Sequence, residues 1–169
     1  VISRTSRAMI IELTTPGFVA TETSAGLRVS ARGFDSRHDP REPAVPLKRA
    51  LVEAVVGKHA RIVWAREGDV LSFTDLTPAA VGAPEVFVAP DGTIQPRRRE
   101  TPLGATEGVL PVSPVQIAGD AFIGKNKKLA LEMSPIRYDA SSGVLLLARK
   151  LRVKIAFDRQ ARTGETGAG

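Results

Sequence analysis

The chain has 169 residues, of which 43% are hydrophobic and 25% are charged, and its net charge is +6. These values are typical of one globular domain that is long enough to bury a core. The absence of cysteine excludes disulfide bridges, thiolate metal sites and a cysteine nucleophile within this chain. Twelve prolines and fifteen glycines favour short strands and turns over long helices.

The N-terminal part of the chain predicts short strands separated by turns. Met9–Leu13 places three apolar side chains on one face, and Leu27–Arg32 alternates apolar and polar residues, as a half-buried strand does. Phe18–Glu22 is a further candidate strand after the Pro16-Gly17 turn. Gly33–Pro46 is polar and contains three prolines, so we expect a loop there.

The next segment, Leu47–Val56, is compatible with a helix by propensity, but we favour a strand because the run is short. A glycine-containing dipeptide then leads directly into a second apolar run, His59–Arg66. Ile62 and Trp64 are expected to share a face of that run, because side chains alternate along a strand. The two runs together predict a β-hairpin.

A short strand is expected at Asp69–Thr74, and residues 76–114 are then rich in proline, glycine and alanine. We expect a long loop there, and long loops in compact domains are usually functional or mobile. The loop contains a basic triplet, Arg97, Arg98 and Arg99. This triplet is compatible with a solvated loop, with an inhibitory or processing loop, and with a nucleic-acid contact. Val115–Ile117 and Ala121–Ile123 are candidate short strands beyond it.

The segment Leu129–Asp158 carries the strongest pattern in the chain. It predicts a strand, a turn and a long strand whose apolar residues alternate with basic ones. The apolar residues of its last part are Leu151, Val153, Ile155 and Phe157. The basic residues are Lys150, Arg152 and Lys154. This basic stripe is compatible with the wet face of a sheet and with a surface that docks an acidic partner.

Together these patterns predict an all-β fold, an antiparallel β-sandwich or jelly-roll-like domain. We expect a single domain over residues 1–158, with the long loop at about 76–114. The composition of residues 159–169 is typical of a C-terminal linker.

Motifs for independent chemistry are missing from the sequence. It has no G-x-S-x-G elbow and no glycine-rich phosphate loop. His38 and His59 have no metal-ligand spacing, and Asp35 and Asp39 lack the other ligands of an EF-hand loop. Aromatic residues are few and basic residues are scattered, which argues against nucleic-acid binding. We therefore expect no cofactor and no metal. We also expect no membrane insertion, because no apolar stretch approaches about 18 residues.

The terminal hairpin resembles the propeptide of gingipain-type cysteine peptidases. That family's pattern has a strand ending in proline, a tyrosine, a turn with glycine, and a long strand of alternating aliphatic residues closed by an aromatic one. The residues that fall on it are Pro135, Tyr138, Gly143, Leu145, Leu151, Val153, Ile155 and Phe157. Further upstream, the family has a proline-containing segment that leads into a strand, then a glycine turn and an alternating strand. The first segment is matched by Pro43, Val45, Pro46 and Leu47, and the turn and second strand by Gly57, Ile62 and Trp64.

The resemblance implies a non-catalytic prodomain that precedes a caspase-like cysteine peptidase domain in the same polypeptide. Such a prodomain would assist the folding of the peptidase and hold it inactive until processing. Gingipain-type peptidases cut after basic residues, so the arginine triplet would fill their primary pocket or serve as the processing site. We expect an exported protein, periplasmic, cell-surface or extracellular, whose signal peptide lies outside this sequence. The alternatives are a β-sandwich adhesion or carbohydrate-binding module of a large exported protein, and an enzyme of unrecognised type.

Overall fold

The structure, a computed structural model, describes residues 1–36 and 39–159. These residues form antiparallel strands, and none of them lies in a helix. The strands are β1 (Ser3–Arg4), β2 (Ala8–Thr14), β3 (Val19–Thr23), β4 (Gly26–Ser30), β5 (Lys48–Glu53), β6 (Lys58–Phe73), β7 (Pro84–Val88), β8 (Ile94–Arg98), β9 (Val109–Leu110), β10 (Val115–Ile123), β11 (Asn126–Met133), β12 (Ile136–Asp139) and β13 (Val144–Arg159). The predicted all-β fold class is confirmed.

The long strand β13 organises the largest sheet. One side of β13 pairs with β6 from Leu145 to Arg159, along nearly the whole length of both strands. The other side pairs first with β12 and then with β2, while β1 and β9 extend the sheet at its two ends. Most residues of β13 from Val144 to Ala156 therefore have a neighbouring strand on each side.

The main core lies between this sheet and a three-stranded sheet of order β10-β11-β5. The first sheet contributes alternate residues of β2 and β13, and the second contributes alternate residues of β10 and β11. The buried members are Met9, Ile11, Val115, Leu129, Leu131, Met133, Leu151, Val153, Ile155 and Phe157. The predicted alternation of the terminal strand is confirmed, since its four apolar residues are all buried here.

A second core cluster lies at the other end of β13. Ile136 and Tyr138 of β12 and Leu145 and Leu147 of β13 pack there with Val29 and Val45. The cluster also holds the small hairpin β3–β4 on the body, because Phe18 and Phe73 form an edge-to-face pair with centroids 5.1 Å apart.

The predicted hairpin between Leu47–Val56 and His59–Arg66 is wrong. Both runs are strands, but β5 pairs with β11 in the three-stranded sheet, and β6 pairs with β13 in the other. Gly57, with φ of 73°, does form a turn between them. The chain therefore crosses from one sheet to the other at this turn, which places both strands over the same core.

The expectation that Ile62 and Trp64 share a face is also wrong. A bulge in β6 inserts Val63, so that Ile62 lies opposite Ile155 while Trp64 lies opposite Lys154. Ile62 consequently packs on the core, and Trp64 lies on the outer face of the sheet. The short strand predicted at Asp69–Thr74 is the continuation of β6, because its partner β13 continues past it.

The strands formed by Leu129–Asp158 belong to two different sheets. The predicted first strand, β11, pairs with β10 and β5, and only β12 forms a hairpin with β13. The two short strands predicted at Val115–Ile117 and Ala121–Ile123 are one strand, β10, interrupted by a bulge between Ile117 and Gly119. Part of the loop expected at residues 76–114 is a hairpin, β7–β8. His38 and residues 160–169 of the predicted linker lie outside the described residues.

Core truncation tests the central position of β13. Leu151 is 0% exposed, and Leu51 on the outer face of β5 is 61% exposed. We expect Leu151→Ala to lower the free energy of unfolding by about 2–5 kcal/mol, because it leaves a cavity between the sheets. We expect Leu51→Ala to change it by less than about 0.5 kcal/mol. Urea unfolding measures both, and equal losses would contradict the assignment of the core.

The β12–β13 turn makes a prediction about pH. The hydroxyl of Ser142 and the N–H groups of Ser141 and Ser142 donate to the Asp139 carboxylate, which lowers its pKa. A carboxylate with a lowered folded-state pKa stabilises the fold above its unfolded pKa of about 3.9, and this stabilisation is lost as the pH falls through the folded value.

Asp139→Asn should therefore lower the urea midpoint near pH 7, and the difference from the unmodified chain should shrink toward about pH 2. Asp75→Asn serves as the control, because that side chain makes none of these turn contacts. A deficit for Asp139→Asn that is the same at both pH values would rule out the electrostatic origin.

Candidate functional site

The hairpin β7–β8 projects from the body of the domain. Pro84–Val88 pairs with Ile94–Arg98 in antiparallel register, and all ten residues are exposed. Val86, Val88 and Ile94 are 73%, 60% and 71% exposed. Solvent exposure of several large apolar side chains on one small element is typical of a binding surface.

The two faces of the hairpin differ in character. The register places the following residues on one face, called here the apolar face: Pro84, Val86, Val88, Ile94 and Pro96. Arg98 lies at the base of this face, opposite Pro84. The other face carries Glu85, Phe87, Gln95 and Arg97, and the Arg97 guanidinium lies 5.7 Å from the centroid of the Phe87 ring.

The tip of the hairpin is a tight turn without basic residues. The Asp91 carboxylate accepts hydrogen bonds from the hydroxyl and the N–H of Thr93, and these bonds lower its pKa. Gly92 adopts φ of 81° and donates its N–H to the carbonyl of Ala89. Asp91 and Gly92 therefore close the turn by local contacts, independently of the domain body.

The base of the hairpin, called here the neck, is formed by residues 79–82 and 99–101. The N–H of Ala80 donates to the Thr101 carbonyl at 2.8 Å, and the N–H of Thr101 returns a bond at 3.1 Å. Ala79, Ala80 and Val81 are buried, and they also bond to the Arg41–Ala44 segment. The hairpin thus leaves the body from a fixed, buried platform.

The side chains of Arg97, Arg98 and Arg99 lie in three different places. Arg97 and Arg98 are consecutive residues of β8, so their side chains lie on opposite faces of the hairpin. Arg99 follows the strand and lies at the neck. Arg98 and Arg99 line a cleft of about 300 Å³ between the neck and β4, together with Arg28 and Glu100.

The predicted basic stripe lies on the outer face of the large sheet, but acidic residues accompany it. Arg152 Nε lies 2.5 Å from Glu12 on β2, and Lys150 Nζ lies 3.8 Å from Asp69 on β6. Lys154 lies opposite Trp64, whose ring is 4.8 Å from the Arg66 guanidinium. The surface therefore combines charge pairs with one aromatic ring, and the stripe is not uniformly cationic.

The hairpin itself was missed by sequence reasoning, although its signals are present. The apolar island Val86–Val88 precedes Pro90-Asp91-Gly92, a typical turn sequence, and Ile94 follows it. Pro96 lies within β8, which is an edge strand of a two-stranded ribbon, where proline is tolerated.

Neither a metal cluster nor a helix able to cross a membrane is present in the part of the chain that the structure describes. No three His, Asp or Glu side chains within residues 1–36 and 39–159 gather closely enough to hold a metal ion. In the same ranges, no helix has the length and apolar character needed to cross a bilayer. Asp35 instead accepts a hydrogen bond from the backbone N–H of Arg49 at 3.2 Å.

A family of propeptides matches the C-terminal part of the chain. Residues 101–169 match the family model Propeptide_C25, which covers β9 to β13. Over this segment the chain is similar to the gingipain-type propeptides. This confirms the resemblance inferred from the terminal strands. None of the curated proteins matches the chain.

Two solved structures resemble this chain in fold over nearly its whole length. A complex of the pro- and mature domains of RgpB from Porphyromonas gingivalis matches with a TM-score of 0.71 at 10% identity, over 99% of this chain and 88% of that chain. A structure that concerns the zymogenic latency of gingipain K from the same organism matches with a TM-score of 0.58 at 16% identity, over 92% and 89% of the two chains. The likeness in fold therefore includes the neck and the hairpin.

Proposed function

We propose that this chain is the inhibitory prodomain of a gingipain-type cysteine peptidase, and that the β7–β8 hairpin occupies the active-site cleft of that peptidase. The family match and the likeness to a pro- and mature-domain complex support this function. Gingipain prodomains belong to exported peptidases. We propose the periplasm, the cell surface or the extracellular space as the location, and the peptidase domain downstream in the same polypeptide as the partner.

The exposed apolar face of the hairpin carries the proposal. Its large side chains contribute nothing to either core cluster, so the domain gains no stability from them. Their burial against a partner would contribute about 1.5–3 kcal/mol for each large side chain. A rigid ribbon with such a face is suited to enter a groove, where it would exclude substrate.

Arg98 is the best candidate for the specificity pocket of the peptidase. It shares the apolar face, so a partner that buries this face also meets the Arg98 side chain. An arginine buried against a carboxylate forms a bidentate, charge-assisted contact, which is a strong anchor. Arg97 stacks on Phe87 at the opposite face and is directed away from the same partner surface.

We propose that the chain has no catalytic activity of its own. A cysteine peptidase needs a thiolate nucleophile, and this chain contains no cysteine. The pairing of β13 with three other strands gives the chain a stable body of its own. We propose that this preformed body acts as a folding template for the following domain.

Single arginine variants test the role of the hairpin. Added in trans to the separate peptidase domain, Arg98→Ala should raise the inhibition constant by about 30-fold or more, because hot-spot contacts are worth at least about 2 kcal/mol. Arg97→Ala, the matched control one residue away, should raise it by less than about 5-fold.

Inhibition constants measured with a chromogenic arginine or lysine substrate decide between the outcomes. Full inhibition by Arg98→Ala and by the triple alanine variant of Arg97, Arg98 and Arg99 would remove the hairpin from the mechanism. Absence of inhibition by the unmodified chain would remove the inhibitory function itself.

We also propose that Lys150, Arg152 and Lys154 form a docking surface for an acidic region of the peptidase. Lys150→Glu combined with Lys154→Glu should slow association several-fold, and the effect should weaken as salt is added. Lys125→Glu at the exposed β10–β11 turn reverses one charge on another surface, and its effect is compared with that of the double variant per reversed charge. Stopped-flow association rates that fall equally for both surfaces would indicate a general charge effect and contradict docking.

A further inference from the structure

We propose that Gly82 and the Arg28–Glu100 ion pair are positioning residues, which set the direction in which the β7–β8 hairpin leaves the domain. The consequence for inhibition rests on the function proposed above, whereas the orientation of the hairpin is a property of the isolated chain. Neither Gly82 nor Arg28 belongs to the hairpin. Both act on its neck.

Gly82 lies where the two arms of the neck approach most closely. A Cβ atom built on Gly82 would overlap the carbonyl oxygen of Arg99 and lie 2.8 Å from its carbonyl carbon. Backbone atoms on both sides cannot move aside as a flexible side chain would. Any residue other than glycine at position 82 must therefore force the arms of the neck apart.

The Arg28–Glu100 pair fixes the second arm of the neck against the domain body. Arg28 Nε donates to Glu100 Oε1 at 2.8 Å, and a terminal nitrogen of Arg28 donates to Oε2 at 3.2 Å. This two-point contact constrains rotation as well as distance. Glu100 immediately follows Arg99, and Arg28 belongs to β4, so the pair links the outgoing strand of the hairpin to another ribbon.

The platform, residues 79–81, is hydrogen-bonded to the domain body. The N–H of Val81 donates to the Glu42 carbonyl and the N–H of Arg41 donates to the Val81 carbonyl, both at 2.9 Å. Ala80 is held on both sides, by Pro43 and by Thr101. We therefore expect a change at Gly82 or Glu100 to displace the exposed ribbon and to leave the core in place.

The length of the ribbon amplifies small changes at the neck. Five residues per strand at about 3.3 Å each give a lever of roughly 17 Å, so a rotation of about 10° moves the tip by about 3 Å. A displacement of that size removes the apolar face from contact with a groove that fits it. The neck contacts thus determine whether the exposed side chains can be buried together.

Two variants with matched controls test the positioning role. Gly82→Ala is compared with Gly104→Ala, because a Cβ at Gly104 meets open space and Gly104 does not have a positive φ. Arg28→Gln is compared with Arg49→Gln, which breaks a cross-strand pair with Glu132 on the three-stranded sheet. The readouts are hydrogen exchange of residues 84–98 in the isolated chain and the inhibition constant against the peptidase domain.

We expect Gly82→Ala to speed hydrogen exchange in the hairpin and to weaken inhibition by about 10-fold or more, while exchange in β13 stays unchanged. Arg28→Gln should weaken inhibition by about 3-fold, within the range of exposed ion pairs. The two controls should stay within about 2-fold of the unmodified chain. The charge-swapped double variant Arg28→Glu/Glu100→Arg should recover most of the loss.

Normal hairpin exchange and normal inhibition in Gly82→Ala would overturn the proposal. If Gly82→Ala fails to fold, seen as fast exchange in β13, then Arg28→Gln and its charge-swapped rescue decide the outcome. If the unmodified chain does not inhibit the peptidase, the proposed function fails. Hairpin exchange in the isolated variants still tests the neck on its own.

Discussion

The fold depends on a single long strand that is buried on one face and paired along both edges. Leu151, Val153 and Ile155 of β13 are fully buried between two sheets, and the strand hydrogen-bonds to β6 on one side and to β12 and β2 on the other. Removal of β13 would expose the main core and leave β6 without its partner. The terminal alternation is therefore the part of the sequence that the rest of the domain requires.

This central strand also explains why the hairpin can project. β13 gathers N-terminal and C-terminal strands around two core clusters, and no apolar residue of β7 or β8 is needed to complete either one. The neck still joins the ribbon to a buried platform, so the ribbon is exposed without being detached. A stable body with one rigid, uncovered apolar element is the arrangement that an inhibitor needs, because its binding surface is ordered before it meets the target.

The sequence predicted the fold class and β13 because period-2 alternation depends only on local side-chain order. It could not assign β5 and β6 to different sheets, because a glycine turn is compatible with both a hairpin and a crossover. The bulge at Val63, which separates Ile62 from Trp64, leaves no sequence signal of its own. The arginine triplet was identified, but the sequence did not show that Arg97 and Arg98 lie on opposite faces. The high proline and glycine content of this segment predicted a loop, whereas the structure has the paired strands β7 and β8. The Gly82 contact with Arg99 is non-local and could only be found in three dimensions.

Hydrogen exchange of the chain, alone and bound to the peptidase domain, tests most directly whether the projecting ribbon is the inhibitory element. Amides of residues 84–98 should become strongly protected in the complex, while the amides of β13, already protected in the isolated chain, should change little. Protection elsewhere on the surface together with unchanged exchange in the ribbon would contradict the role assigned to it.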